Sequence, residues 1–592
     1  MTLGRKILAA VTILSYFSTF APSTGPSAAS ASSVKDLTYK EKKFLAGYVY
    51  FVLGRCLDGE AVPKIPVPET GAPDPDYDIV FVSVYYGNTL IGCQGNSYRP
   101  KDINRVLADI RKATINVTGD RRFKKDLTKD GLKDVSVVIS FLYNGRRMAQ
   151  NDLAYLKRYA EPGIHGLSVS KGGKHTYFIP SVMITANIGL ETAMKQLSKK
   201  AGLPEDGYLG KDIEIYLYDS VVFRSDARRR TTDLYRFNVP VDAHDITRSA
   251  ILERISLGYG WFLNNVDPGS GMTQYAYSPA RDLYSEKNNH PRQMAALWAI
   301  TELRRFLRDG SSDELIEREI DYYLGRLRDE GGYSFFVIDG RASIAYNAFM
   351  ILALLNTDRP DKGGVLKRLG DGILAMQDPD GSYDTDFIKK GNDGIDYAPG
   401  EAMLGLMHLY AATGDEAYLG SVKKAFPYYR DHWRANKNAA FIPWHTQTYY
   451  LLYRHTKDRS LADFIFEMND WSIDNYQVFE SGHPDEIGGF TKGTPRGCST
   501  SVYLEGINDA YRLARETGDT ARAAKYSESI RLGTRFILQT QFTKENSFYL
   551  KNASRAAGGF RQSLERDPIR VDYVQHASRA LVKAYESGLF GE

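Results

Sequence analysis

ASIAYNAFMILALL, residues 342–355, is apolar nearly all round, and the turn ahead of it reads Gly331-Gly332-Tyr333. A helix with no polar face belongs inside an assembly of helices rather than on its surface. The same unit recurs. NNHPRQMAALWAITEL starts at Asn288, DYAPGEAMLGLMHLY at Asp396, PWHTQTYYLLYRH at Pro443, STSVYLEGINDAYRLA at Ser499 and DYVQHASRALVKAY at Asp572. Six units at intervals of roughly 45 to 75 residues are the mark of a repeat architecture. The turn recurs as well, as Gly381-Ser382-Tyr383, Gly488-Gly489-Phe490 and Gly558-Gly559-Phe560.

Most of the apolar helices are followed by a more charged one, such as Glu416 to Arg434 or Ala521 to Gln541. Apolar helices inside and amphipathic ones outside, in six pairs, make an (α/α)6 toroid, with the segment from Ile246 supplying the outer helix that the chain end lacks. The glycine-aromatic turns, and Tyr397-Ala398-Pro399-Gly400-Glu401 opening a helix, resemble the six-hairpin glycosidase-like superfamily over Ile246 to Glu592. That resemblance implies glycoside hydrolases, polysaccharide lyases or uronyl C5-epimerases, without singling out one reaction.

In such a ring the inner helices share a direction, so their starts gather at one mouth. Four carboxylates are expected there: Asp396, Glu401, Glu505 and Asp572. Acid/base work on a glycosidic bond needs one carboxyl protonated and another ionised. Glu401 and Glu505 sit in otherwise apolar segments, where an unpaired charge is costly, and are the first candidates. Asp396 and Asp572 have an alternative as helix N-caps. Arg292, Tyr397, Trp444, His445, Arg570 and His576 fall at the same helix starts and are expected to bind substrate. The histidines have no H-x-x-x-H or Cys-x-x-Cys spacing, so neither a metal nor any other cofactor is expected.

The chain ahead of the repeat is different in kind. From Tyr39 to about Phe223, helices alternate with short strands rich in β-branched and aromatic residues, such as Ile79 to Tyr85, Val135 to Leu142 and Ile213 to Tyr218. TLIGCQG, Thr89 to Gly95, and GIHGLSVSKGGKHTYFIP, Gly163 to Pro180, followed by KKAGLP at Lys199, resemble the AMMECR-type domain family. The resemblance implies an α+β domain with a site at Gly92, Cys93, Gly95 and His165, although Ile91 stands where the family has arginine and Gln94 where it has isoleucine. Gly92 and Gly95 answer a need for close backbone approach. Cys93 is either a reactive thiol beside a cation or a small buried hydrophobe.

Residues 1–31 read as a signal peptide: Arg5 and Lys6, an apolar run to Ala21, and Ala29-Ser30-Ala31 as a cleavage site. Past it no stretch is apolar enough to span a membrane. Three cysteines, Cys56, Cys93 and Cys498, make no disulfide framework. A formal net charge of +4 excludes an argument for nucleic acid. The basic run Arg228-Arg229-Arg230 sits in a stretch without apolar periodicity, 225–245, which reads as a linker. The expected plan is a signal peptide at 1–31, an AMMECR-type α+β domain at 39–224, the linker, and an all-α toroid at 246–592. The expected function is that of a periplasmic or secreted enzyme acting on a polysaccharide or oligosaccharide, first of all a glycoside hydrolase. The alternatives are a uronate lyase or C5-epimerase, and a non-catalytic glycan-binding or assembly protein working with surface-polymer export machinery.

Overall fold

The computed structural model describes residues 33–63, 73, 75–97 and 104–592, so the signal-peptide reading falls outside the described residues. The chain forms two compact units, one ending at Pro240 and including Phe548–Lys551, the other made of Val241–Ser547 and Asn552–Glu592.

The first unit is built on one antiparallel sheet. Its strands are β1 (Ile79–Tyr86), β2 (Thr89–Asn96), β3 (Val135–Arg147), β4 (Gly166–Lys171), β5 (Lys174–Phe178), β6 (Ile213–Ser225) and β7 (Thr231–Leu234). They run in the order β2-β1-β3-β6-β4-β5, with β7 on β6. Gly87, at φ +55°, supplies the left-handed backbone that a two-residue turn between β1 and β2 needs. Side chains alternate across a strand, so Val80, Val82 and Val84 of β1 enter a core with helices α1 (Tyr39–Leu57) and α2 (Arg105–Thr118). Phe81 and Ile79 face the other way, toward Leu142, Tyr218, Cys93 and Tyr177. Helix α1 starts at a capping box, Thr38 with Glu41, and helix α3 (Leu190–Lys200) covers the far half of the sheet through Leu190, Ala193 and Leu197.

The linker expectation is corrected here. Ser225 and Thr231–Leu234 belong to the sheet, with Val222 to Ser225 paired to Leu234 to Thr231. The basic run is the tip of this hairpin: Asp226 accepts from the backbone of Arg228 and Arg230, and Arg229 lies 3.3 Å over the Tyr50 ring. A short edge strand with polar residues at Thr231, Thr232 and Asp233 has no apolar alternation to betray it.

The second unit contains twelve long helices among the described residues. Six are outer: α4 (Arg248–Asn264), α6 (Asp313–Leu324), α8 (Lys362–Ala375), α10 (Glu416–Ala435), α12 (Arg459–Tyr476) and α14 (Thr520–Thr540). Six are inner: α5 (His290–Leu307), α7 (Ile344–Leu355), α9 (Ala398–Thr413), α11 (Ile442–Thr456), α13 (Gly497–Glu516) and α15 (Val571–Glu586). Each inner helix packs on the next and α15 packs on α5, so the ring closes into an (α/α)6 toroid.

One device joins neighbouring hairpins. Gln377, Gln477 and Gln541 end outer helices, and each amide donates to a carbonyl of the following glycine turn and to one in the next outer helix. The acceptors are Gly381 and Ser421, Gly488 and Ser529, and Gly558 and Arg254. The last of these returns to α4 and seals the ring. The turns lie against helix backbone: a Cβ on Gly381, Gly488 or Gly558 would come within 2.4, 2.0 or 1.9 Å of a carbonyl oxygen. All three glycines hold positive φ, so the position tolerates no side chain on either ground.

Candidate active site at the mouth of the toroid

Glu401 lies in the first turn of α9, behind Tyr397 at the N-cap and Pro399. Helix α11 packs so closely on this turn that a Cβ at Gly400 would meet Trp444 and His445 at 2.8 Å. That contact buries Glu401 to 7% exposure, and its carboxyl makes no hydrogen bond or ion pair among the described residues. Burial pushes its pKa up to about 8. The helix N-terminus favours the anion by only about 0.3–1 kcal/mol, too little to offset the loss of water. Glu401 is therefore a carboxylic acid at neutral pH, which makes it a proton donor.

Glu505 is the opposite case. It sits eight residues into α13, about 12 Å below the helix start at 1.5 Å per residue, and is fully buried. Its Oε1 is 2.7 Å from Nδ1 of His576, and its Oε2 accepts from Nη1 of Arg579. Burial alone would raise its pKa, but Arg579, His576 and Lys583 together hold it below the usual value. Arg579 also donates to Glu302 at 2.5 Å and lies 3.5 Å over Trp298, while Lys583 reaches Asp509, Gln447 and the Glu505 carbonyl. Glu505 is thus an anion held in a buried network by His576 and Arg579. It acts on His576, whose Nδ1 it engages, leaving Nε2 as the ring atom without a partner among the described residues. The His576 ring is 5.8 Å from Trp444, which also packs against Phe349 and Trp298.

Asp572 receives both Nε and Nη2 of Arg570, at 2.5 and 2.6 Å, and Nε of Arg292 at 3.2 Å. The pair with Arg570 holds that guanidinium's pKa above its usual value despite burial. Cys498 lies 4.0 Å from Asp572, its thiol pushed well up by burial. The N-cap reading fails for both aspartates. Asp572 is the second residue of α15, and Asp396 lies outside α9, bonded to Asn438 and 3.5 Å from His432.

His445 is a second correction. It is wholly buried, stacked on Phe441 at 3.4 Å between Tyr429 and Tyr449, with Nδ1 2.8 Å from the Phe441 carbonyl and its pKa driven down to about 3 by burial. An imidazole enclosed by Phe441, Tyr429 and Tyr449 packs α11 against α10 and is closed off from solvent. Tyr397, by contrast, is 49% exposed at the rim.

The structure therefore puts Glu401, Trp444, Arg292 and Asp572 in the first turns of inner helices, Arg570 at the cap of α15 and His576 in its second turn, sets Glu505 deeper in α13, and places Asp396 and His445 apart from them. It adds Arg579, Trp298, Glu302 and Lys583. The signal for the first and last was present: His576, Arg579 and Lys583 are spaced three and four apart on one face of an apolar helix, and buried charge implies a buried partner.

In the first unit, a Cβ at Gly92 would sit 2.6 Å from Val117, and one at Gly95 2.5 Å from the Phe81 ring, so β2 passes its neighbours at glycine distance. Cys93 has its pKa raised by burial, while its backbone N–H donates to Asp120, itself paired with Arg122. His165 accepts from the Glu161 N–H and lies 3.7 Å from Asp219, fixing the loop before β4. Among the described residues no group of three His, Cys, Asp or Glu is placed to hold a metal, and no helix is long and apolar enough to cross a membrane.

Residues 61–223 match the AMMECR1 family model. The chain is 27% identical over 150 residues to a protein of Methanopyrus kandleri, covering 25% of this chain and 71% of that one. In structure it is similar to a family 76 glycoside hydrolase from a bovine Bacteroides thetaiotaomicron strain, with 11% identity, coverage of 76% of this chain and 96% of that one, and TM-score 0.43. It is also similar to the cellobiose 2-epimerase of Spirochaeta thermophila, with 14% identity, 57% and 96% coverage, and TM-score 0.44.

Proposed function

We propose that the toroid is a carbohydrate-active acid/base enzyme, hydrolytic in the first instance, with Glu401 as proton donor and His576 as base. The observation that carries this reading is the unpaired carboxyl of Glu401 in the first turn of α9, kept protonated to about pH 8 by burial. A group that holds its proton at neutral pH is what a departing glycosidic oxygen requires. The opposing role belongs to a group that accepts a proton, and His576, oriented at Nδ1 by the Glu505 anion, presents Nε2 for it. This changes the expected pair of carboxylates: Glu505 serves as a positioning residue, and Asp572 is taken up by two arginines. Trp444 packs by its Cβ near Gly400, next in sequence to Glu401, and by its ring against His576.

The test is a panel of polysaccharides incubated with wild type and Glu401→Gln, followed by mass spectrometry and an assay of reducing ends. Glutamine keeps the shape but delivers no proton, so turnover should fall about 100- to 10,000-fold. A variant with undiminished turnover would remove Glu401 from the mechanism. A second reading rests on the same histidine, since an imidazole aligned by a carboxylate also suits abstraction of a carbon-bound proton in epimerisation or β-elimination. Deuterium uptake by recovered sugar in D2O, or absorbance of an unsaturated uronate, would select it over hydrolysis.

We further propose that the enzyme works outside the cytoplasm, on the strength of the basic start, apolar run and Ala29-Ser30-Ala31 pattern. N-terminal sequencing of the exported protein is expected to begin near Ser32, and retention of the segment on a membrane-bound form would count against it.

A further inference from the structure

We propose that the glycan taken by this site is anionic, and that Arg292, beside the Arg570–Asp572 pair, receives its carboxylate or sulfate group. The inference rests on the reading of the mouth as a glycan site and names the class of glycan.

Two guanidinium groups converge on one carboxylate. Arg570 spends Nε and Nη2 on Asp572 and stacks 4.5 Å over Tyr573. Arg292 forms an ion pair with Asp572, Nε to Oδ2 at 3.2 Å, and donates Nη1 to the Tyr275 hydroxyl at 2.9 Å, while Nη2 has no partner among the described residues. The Arg292 side chain is 42% exposed. Two guanidinium groups on one carboxylate leave one positive charge over within this cluster. Glu401 is neutral at physiological pH, and Glu505, Glu302 and Asp509 are engaged by Arg579 and Lys583 on α15.

The spare cation is also held ready. Tyr275 bonds Arg292 through its hydroxyl and accepts from the Val571 N–H through its carbonyl, so guanidinium and helix start are tied together. A planar fork held by a hydrogen bond at Nη1 and an ion pair at Nε loses little freedom on meeting a planar carboxylate or a sulfate. Partial exclusion of water makes that contact worth more than one on an open surface.

The test uses the full chain and three oligosaccharides of equal length: an oligogalacturonate, a sulfated galactan fragment and a neutral mannan fragment. Calorimetry should show one or both anionic probes binding at least about 10-fold more tightly than the neutral one, and which of them does so identifies carboxylate or sulfate. Arg292→Gln should weaken the anionic complex about 10- to 100-fold, with KM rising and kcat nearly unchanged, and Arg292→Lys should recover part of the loss. Melting temperatures of both variants separate lost contact from lost fold. Neutral glycan bound as tightly as both anions, or unchanged affinity in Arg292→Gln, overturns the inference. Glu401-dependent turnover of neutral glycan alone leaves the enzyme reading standing without it. Anionic binding with no turnover leaves the inference standing and removes the enzyme, and no binding of any probe removes both.

Discussion

Glu401 and Glu505 are the same residue type, each buried, and the ring gives them opposite charge states. For Glu401 nothing compensates the lost water, so the folded pKa lies near 8 against 4.5 for an ordinary glutamate. The folded value is the raised one, so the stability that the protonated form contributes is complete below about pH 4.5 and is lost as pH rises through 8. Glu401→Gln, permanently neutral, escapes that loss. Its melting temperature should exceed that of wild type at pH 9 and converge with it at pH 5, and parallel declines in scanning calorimetry would contradict the burial argument. For Glu505 the folded pKa is depressed, so its contribution is present above the unfolded value and disappears as pH falls through the folded one. Glu505→Gln leaves Arg579 facing a neutral amide inside the ring. The cost should be about 3–5 kcal/mol in a denaturant melt, with activity lost alongside stability. At this scale the sequence marked both glutamates, because a charge inside an apolar run has to be explained. It carried no sign of which would be paired, since Arg579 lies 74 residues from Glu505 and meets it only across the closed ring. Helix-start position likewise promoted His445, because a single residue step, about 100° of rotation, takes Trp444 to His445 and from one neighbour to another.

At the scale of elements, the glycine-aromatic turn shows what a repeat conserves within one chain. The turn touches the backbone of the next outer helix, and the terminal glutamine ties both together, so glycine answers a steric demand and glutamine a hydrogen-bonding one. The glycines could be read because they recur beside an aromatic residue. Gln377, Gln477 and Gln541 could not, since a lone polar residue at a helix end has many uses, and its partners lie in other hairpins. Gly558→Ala should be far more damaging than Gly518→Ala. Gly518 also has positive φ, +73°, but nothing lies within 4 Å of its Cβ position, so alanine there costs about 1–2 kcal/mol of backbone strain. At Gly558 the same strain is joined by collision with the Leu257 carbonyl. Chemical denaturation of the two variants should show the difference, and equal midpoints would mean that the turn relaxes away from α4. The β7 edge went unread for a related reason: its neighbours on β6 confer strand character that Thr231-Thr232-Asp233 lacks locally.

For the whole molecule the placing of β7 moves the boundary between units, and that has a consequence for dissection. A cut among Arg228 to Thr232 takes β7 from β6 and removes the hairpin in which Arg229 covers Tyr50. A fragment of the first unit ending at Ser225 should therefore melt lower than one ending at Pro240, although the two differ only by residues that resemble a linker. The complementary fragment, from Val241 to the end, retains all twelve long helices and the contacts of α15 with α5 and of Gln541 with α4 that close the ring. A closed repeat array buries its core within itself, so this fragment should be soluble and unfold in one cooperative transition. Deleting α4 as well, by starting at Asn265, removes the acceptor of Gln541 and the outer helix packed on α15, and leaves the α15–α5 contact alone to hold the seam. If closure supports the fold, that shorter fragment should lose cooperativity as a whole rather than only the signal of one hairpin. Circular dichroism melts of the two fragments make the comparison, and a shortened fragment that still melts sharply would mean that the hairpins stand as a stack without needing to be a ring.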